Sequence, residues 1–90
     1  MIVSVCVLKD SVTGAAGKPI TYFNVQEAIE TFLASLDDPD FPEDLSDRLQ
    51  FYETGILGFE NDEIGSIEYF PHTEPILLCS GKEVVFHEKE

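Results

Sequence analysis

Ninety residues leave room for one hydrophobic core and not two, because a chain of this size buries only about two-thirds of its unfolded surface. The composition is 43% hydrophobic and 11% aromatic, enough to offset chain entropy, and this excludes a disordered acidic tail. Eighteen Asp and Glu against five Lys and Arg leave a net charge of −13, which opposes contact with nucleic acid or an anionic membrane.

In chain order, residues 2–8 alternate Val3, Val5 and Val7 with Ile2, Cys6 and Leu8, the pattern of a strand covered on both sides or central in a sheet. No basic region precedes this run and it passes directly into Lys9 and Asp10, so it is expected as a strand and not as a signal peptide. Residues 10–19 contain Gly14, Gly17 and Pro19 without apolar periodicity and read as a loop, followed by a short extended piece at 20–23. Asn24 is a good N-cap, and Glu27 stands where its carboxylate can reach back to the Asn24 amide. Val25, Ala28, Ile29, Phe32, Leu33 and Leu36 then recur at helical spacing, which predicts one amphipathic helix over about 24–37. Pro39 ends it, and Asp37 and Asp38 add negative charge where the helix dipole is already negative.

Residues 37–47 carry six acids and two prolines and are expected as an exposed, partly irregular connection. Beyond them, Leu49, Phe51, Leu57 and Phe59 share odd parity, an apolar face interrupted by Glu53. Either Gly55 marks a bulge or bend between two short strands, or Glu53 points into the core with a raised pKa; the bulge is the reading adopted. Residues 60–65 have the composition of a hairpin connection leading to a strand at 66–70, and residues 76–79 and 83–86 flank a second turn at Ser80, Gly81 and Lys82. The expected fold is α+β, a single domain over residues 1–90 with one helix on a mostly antiparallel sheet of four to five short strands.

Residues 27–74 hold fourteen acids and one base, Arg48, while the remainder holds four acids and four lysines, so the whole net charge lies in the middle stretch. Asp37, Asp38, Asp40, Glu43, Asp44, Asp47, Glu60, Asp62 and Glu63 are therefore the candidate partner-binding residues, suited to a protein with a basic surface. A solvated face that keeps a small protein soluble is the plainer account of the same residues.

Motifs for chemistry are weak. Asp38 and Asp40 start like a calcium loop, but Pro42 and Glu43 stand where a further oxygen ligand and Gly are required. His72 and His87 are far from any zinc-type cysteine spacing, and Cys6 and Cys79 sit in apolar runs that keep a thiol protonated and inert. The segment from Gly14 to Lys18 lacks the spacing of a phosphate loop and its following hydroxyl. Tyr22, Phe51, Tyr52, Phe59, Tyr69 and Phe70 could stack single-stranded bases, yet the basic track such a platform needs is missing. No enzyme activity, cofactor or metal is expected, direct nucleic-acid binding is disfavoured, and a sheet edge at 20–23 or 84–86 could pair with a second copy. No stretch is long enough to cross a bilayer, and a reducing cytoplasm is the expected compartment.

The order of features resembles the small nonstructural protein of gokushoviruses, tailless single-stranded-DNA phages of the microvirus group. The matching segments are Val5 to Asp10, a loop ending at Pro19, Glu27 to Phe32, Asp37 to Pro39, Pro42 to Asp44, Leu49 to Gly55 and Phe59 to Gly65. The resemblance spans about residues 3–68 and implies an accessory protein in a bacterial host cytoplasm, acting without catalysis at the switch towards single-stranded genome synthesis and packaging. Glu30, where that family often has a basic residue, and the greater acidity of this chain both weigh against direct DNA contact. The expectation is a phage interaction protein that binds a replication, packaging or host protein through its acidic stretch. An acidic nucleic-acid mimic inhibiting a host defence or DNA-processing enzyme is the first alternative, and single-strand binding by an aromatic sheet face the second.

Overall fold

The structure, a computed structural model of the chain, describes residues 1–59 and 66–86. Among these described residues, five strands and two helices follow in the order β1 (Ile2–Asp10), β2 (Ile20–Tyr22), α1 (Val25–Leu36), α2 (Glu43–Ser46), β3 (Leu49–Phe59), β4 (Ile67–Ser80) and β5 (Glu83–Val84). The strands form one antiparallel sheet in the order β2-β1-β3-β4-β5, curled into a half-barrel. This is the expected α+β class, with an added one-turn helix inside the acidic connection. Two of the strands, however, are long and not short: β3 has eleven residues and β4 fourteen.

They stay continuous because bulges absorb the irregularities that the sequence suggested would break them. Val5 pairs with Gly55 but Cys6 pairs with Glu53, so Thr54 is an extra residue on β3. Directly opposed residues share a face, and one inserted residue reverses the parity of all that follow. Phe51 therefore stands opposite Leu8 and Leu57 opposite Val3, on opposite sides of the sheet. The single odd-numbered apolar face expected for residues 49–59 is in fact two half-faces that meet at the bulge, and Glu53 is buried beside it. A bulge beside Gly55 and an inward Glu53 thus occur together, but the bulge does not divide the segment into two short strands.

A second bulge lies on β4, where Phe51 pairs with Cys79 and Tyr52 with Leu77, leaving Leu78 as the extra residue. Simple alternation would separate Leu78 from Cys79, yet both are completely buried. Residues 72–75 form a third, wider irregularity opposite Thr54.

Helix α1 lies across β1 and β2. Its Ala28, Ile29, Phe32 and Leu36 join Cys6, Phe51, Leu78 and Cys79 in one core cluster, in which Phe32 stacks on Phe51 with ring centroids 4.8 Å apart and planes 2° from parallel. Such a stacked pair adds about 1 kcal/mol beyond the area it buries. Asn24 caps the helix as the sequence indicates, its Oδ1 accepting the Glu27 N–H at 2.8 Å. The reciprocal contact differs: with Asn24 extended at φ −159°, the Glu27 carboxylate accepts the N–H of Phe23, at 3.1 Å, instead of that of Asn24.

Candidate functional site

The acidic connection is held in place by its own backbone and by two inward side chains, one aromatic and one polar. Asp38 Oδ1 accepts the Asp40 N–H at 2.9 Å, the Phe41 N–H reaches the Asp38 carbonyl at 2.9 Å, and the Ser46 N–H reaches the Pro42 carbonyl at 3.1 Å. Phe41 packs against the core cluster and Ser46 is buried with its hydroxyl donating to the Glu43 carbonyl at 2.8 Å. The turn between β4 and β5 supports the segment from below. Gly81 there has φ +56°, a conformation open to glycine, and a Cβ on it would meet the Ser46 carbonyl oxygen at 3.2 Å.

On this frame Asp37, Asp38, Asp40, Glu43, Asp44 and Asp47 are all exposed, Asp37 as the C-cap of α1 and Asp47 as the C-cap of α2. Glu60, Asp62 and Glu63, with the expected hairpin at 60–65, lie outside the described residues, as does His87. Six of the nine candidate carboxylates, neighbours in the sequence, are thus exposed along residues 37–47.

The charge balance of that stretch is set by a contact the sequence pattern does not reveal. Arg48, the sole base among residues 27–74, is turned away towards β1, where its Nε donates to Asp10 Oδ1 at 3.2 Å and its Nη2 to Asp10 Oδ2. The guanidinium fork, with the Val12 amide, holds the Asp10 carboxyl down at about 2. Among the described residues the acidic segment meets only one cation, Lys82, whose Nζ lies 3.8 Å from Asp37 Oδ1 with both side chains mostly in solvent. A pair so exposed contributes little.

A second cluster sits at the bulge on β3. Glu53, 6% exposed, lies 2.7 Å through Oε1 from His72 Nε2, which the wide irregularity of β4 brings over it. Cys6 is the cross-strand partner of Glu53, and burial together with that carboxylate pushes its thiol up to about 12. Burial also pushes the Cys79 thiol up. A thiol so raised stays protonated and is not an activated nucleophile, and the polar tie here is the Glu53–His72 contact between β3 and β4. The signal for this tie was one acid in an apolar run and one histidine between Pro71 and Pro75, and nothing local links the two. No group of three or more His, Cys, Asp or Glu side chains among the described residues is disposed to hold a metal ion.

The six aromatics suggested as a stacking face are dispersed. Phe51 is buried under Phe32, Tyr22 meets Phe51 edge-on at 6.0 Å, and the Tyr52 hydroxyl donates to Gln50 Oε1 at 3.0 Å. Tyr69 and Phe70 are each about half exposed, at 49%. Edge positions expected at 20–23 and 84–86 correspond to β2 and β5, which are the two outer strands of the sheet.

What these features define is a small α+β domain presenting an anchored acidic segment. No family model matches the chain, and no curated protein or solved structure is significantly similar to it. No helix among the described residues is long and apolar enough to cross a membrane.

Proposed function

We propose that the protein is a non-enzymatic interaction protein that docks a basic surface of a protein partner onto residues 37–47. The observation that carries this reading is the pairing of exposure with order: six carboxylates face solvent on a segment fixed by Phe41, Ser46 and Gly81. An acidic stretch that served solubility alone would gain nothing from being pinned to the core. The engagement of Arg48 by Asp10 supports the same reading, since it removes the one cation that could neutralise the segment from within. With its resemblance to the gokushovirus proteins, the chain is proposed as a phage accessory protein whose partner is a replication, packaging or host protein. Exposed acids also stand on α1 (Glu30), β4 (Glu68, Glu74) and β5 (Glu83), a dispersal that favours a local docking segment over mimicry of a nucleic-acid strand.

The test is the combined variant Asp40→Asn, Glu43→Gln, Asp44→Asn, Asp47→Asn. It keeps side-chain volume and the wild-type circular-dichroism spectrum, and it lowers the yield of partner recovered from infected bacterial lysate by about tenfold, the wild-type yield itself falling with added salt. Equal recovery by the two proteins would remove the acidic segment from the mechanism.

A further inference from the structure

A pocket opens on the side of the sheet opposite α1. Residues opposed across an antiparallel pair share a face, and neighbours along a strand alternate between faces. Leu8 and Phe51, which are register partners, belong with the core under α1, so the adjoining pair of Val7 and Tyr52 faces away from it. Two irregularities of the sheet wall the pocket: Thr54 is the extra residue of β3, and Pro75 ends the irregular stretch of β4 opposite it. Ala16 supplies a further wall. It is bridged to Lys9, and its loop is fixed by the Gly17 N–H donating to the Leu8 carbonyl and the Asp10 N–H to the Ala15 carbonyl, both at 2.8 Å. Val7, Lys9, Ala16, Tyr52, Thr54 and Pro75 together line about 270 Å³. That is roughly nine times the share of one water in the liquid, room for a molecule of about ten non-hydrogen atoms.

The lining carries one charge and few free polar groups. The Tyr52 hydroxyl donates to Gln50 Oε1 at 3.0 Å and the Thr54 hydroxyl to the Val5 carbonyl at 3.3 Å, so both protons are committed. Val7, Ala16 and Pro75 offer hydrocarbon, which leaves exposed Lys9 as the lining side chain with N–H donors to give. Among the described residues Arg48 pairs with Asp10, His72 with Glu53 and Lys82 with Asp37, while Lys9 makes no ion pair. No acid lines the pocket, although the chain has a net charge of −13; Glu74, next to Pro75 in the chain, is exposed and is not part of the lining. Residues 1–26 hold two lysines, Lys9 and Lys18, and a single acid, Asp10, whose carboxylate is occupied by Arg48.

From this lining and this charge we infer that the pocket binds a small amphipathic anion, a monocarboxylate with a compact aromatic or branched apolar body. The carboxylate pairs with the Lys9 ammonium, and the body lies against Val7, Ala16, Tyr52 and Pro75. A basic ligand would meet Lys9 with no acid to offset it. The acidic segment of a second copy fits poorly, because its apolar residue, Phe41, is packed on its own core and leaves nothing to fill the hydrocarbon part. None of residues 37–47 lines the pocket, so the site is independent of the proposed docking segment.

The experiment titrates the isotope-labelled full chain with phenylacetate and, in parallel, with neutral phenylacetamide, read by backbone chemical shifts. Phenylacetate saturates with a Kd of about 5 mM or tighter and moves the signals of Val7, Lys9, Ala16, Tyr52 and Thr54. Phenylacetamide binds about threefold or more weakly, and Lys9→Met removes that difference. Ala16→Phe, which fills the pocket from an exposed loop position, abolishes saturation by both while keeping the wild-type circular-dichroism spectrum. The four-acid variant at positions 40, 43, 44 and 47 binds phenylacetate within about threefold of wild type, so this inference and the docking segment fail separately. Equal affinity for the two probes, or binding that persists in Ala16→Phe with shifts following Lys18 and Lys82, overturns the inference in favour of diffuse charge attraction. Absence of saturation up to about 50 mM overturns it outright. A dimer in sedimentation that Lys9→Met dissociates overturns it in favour of a second copy.

Discussion

Arg48 and Asp10 form the fork that joins the start of β3 to the end of β1, and the same carboxylate accepts the N–H groups of Val12 at 2.9 Å and Thr13 at 3.3 Å. One residue thus closes the first loop and withdraws the only cation of the acidic stretch. The fold lowers the Asp10 pKa to about 2 from its ordinary value of 3.8, so it favours the ionised form. Stability from this contact is full above the ordinary value and is lost as pH falls through that range to about 2. Arg48→Gln is therefore expected to lower the urea midpoint at neutral pH, with the deficit narrowing between about pH 4 and pH 2. A deficit that stays constant down to pH 2 would show that Arg48 acts through packing and not through the Asp10 charge.

Among the elements, β3 and β4 decide the shape of the sheet, and Gly55 shows how closely they approach. A Cβ there would lie 2.6 Å from the Phe70 carbonyl oxygen and 2.9 Å from the Pro71 Cα, both backbone atoms, and 2.8 Å from a ring carbon of Tyr69. This stretch of β4 backbone cannot yield without breaking the pairing of Gly55 with Pro71. Gly55→Ala is expected to cost about 1–3 kcal/mol by chemical denaturation, whereas Gly17→Ala, where the nearest atom is at 3.8 Å, stays near wild type. Equal stability of the two variants would mean that the hairpin is looser than its register indicates. The α1 element is more local in origin: its cap, its apolar spacing and its stop at Pro39 are each readable within a few residues, and the helix runs as those signals say, Val25–Leu36.

For the whole molecule, charge is segregated along the chain, and the body measures 43 × 27 × 27 Å. Fourteen acids between residues 27 and 74 repel one another across a domain with little opposing charge. Raising NaCl from about 10 mM to about 0.5 M screens this repulsion, so the thermal midpoint is expected to rise with salt, and the four-acid variant to show a smaller rise. A midpoint indifferent to salt would indicate that the acids are already compensated in the fold.

The sequence by itself determined what depends on neighbours in the chain. It set the helix and its cap, the turn at Gly81, the burial of Cys6 and Cys79, the interior position of β1 and the confinement of the acids to one region. Such features arise from contacts within about four residues or from composition, and both are visible along the chain. Tertiary pairing alone decided the rest, because a register shift is a property of two strands and has no signature in either one. The extra residues Thr54 and Leu78 reversed the faces of β3 and set Leu78 and Cys79 inward together. The same pairing placed His72 over Glu53, and the return of the chain from α2 into β3 turned Arg48 to Asp10, 38 residues away. The acidic segment was legible as a region. Its exposure was expected from the sequence, and only its anchoring through Phe41 and Ser46 required the fold.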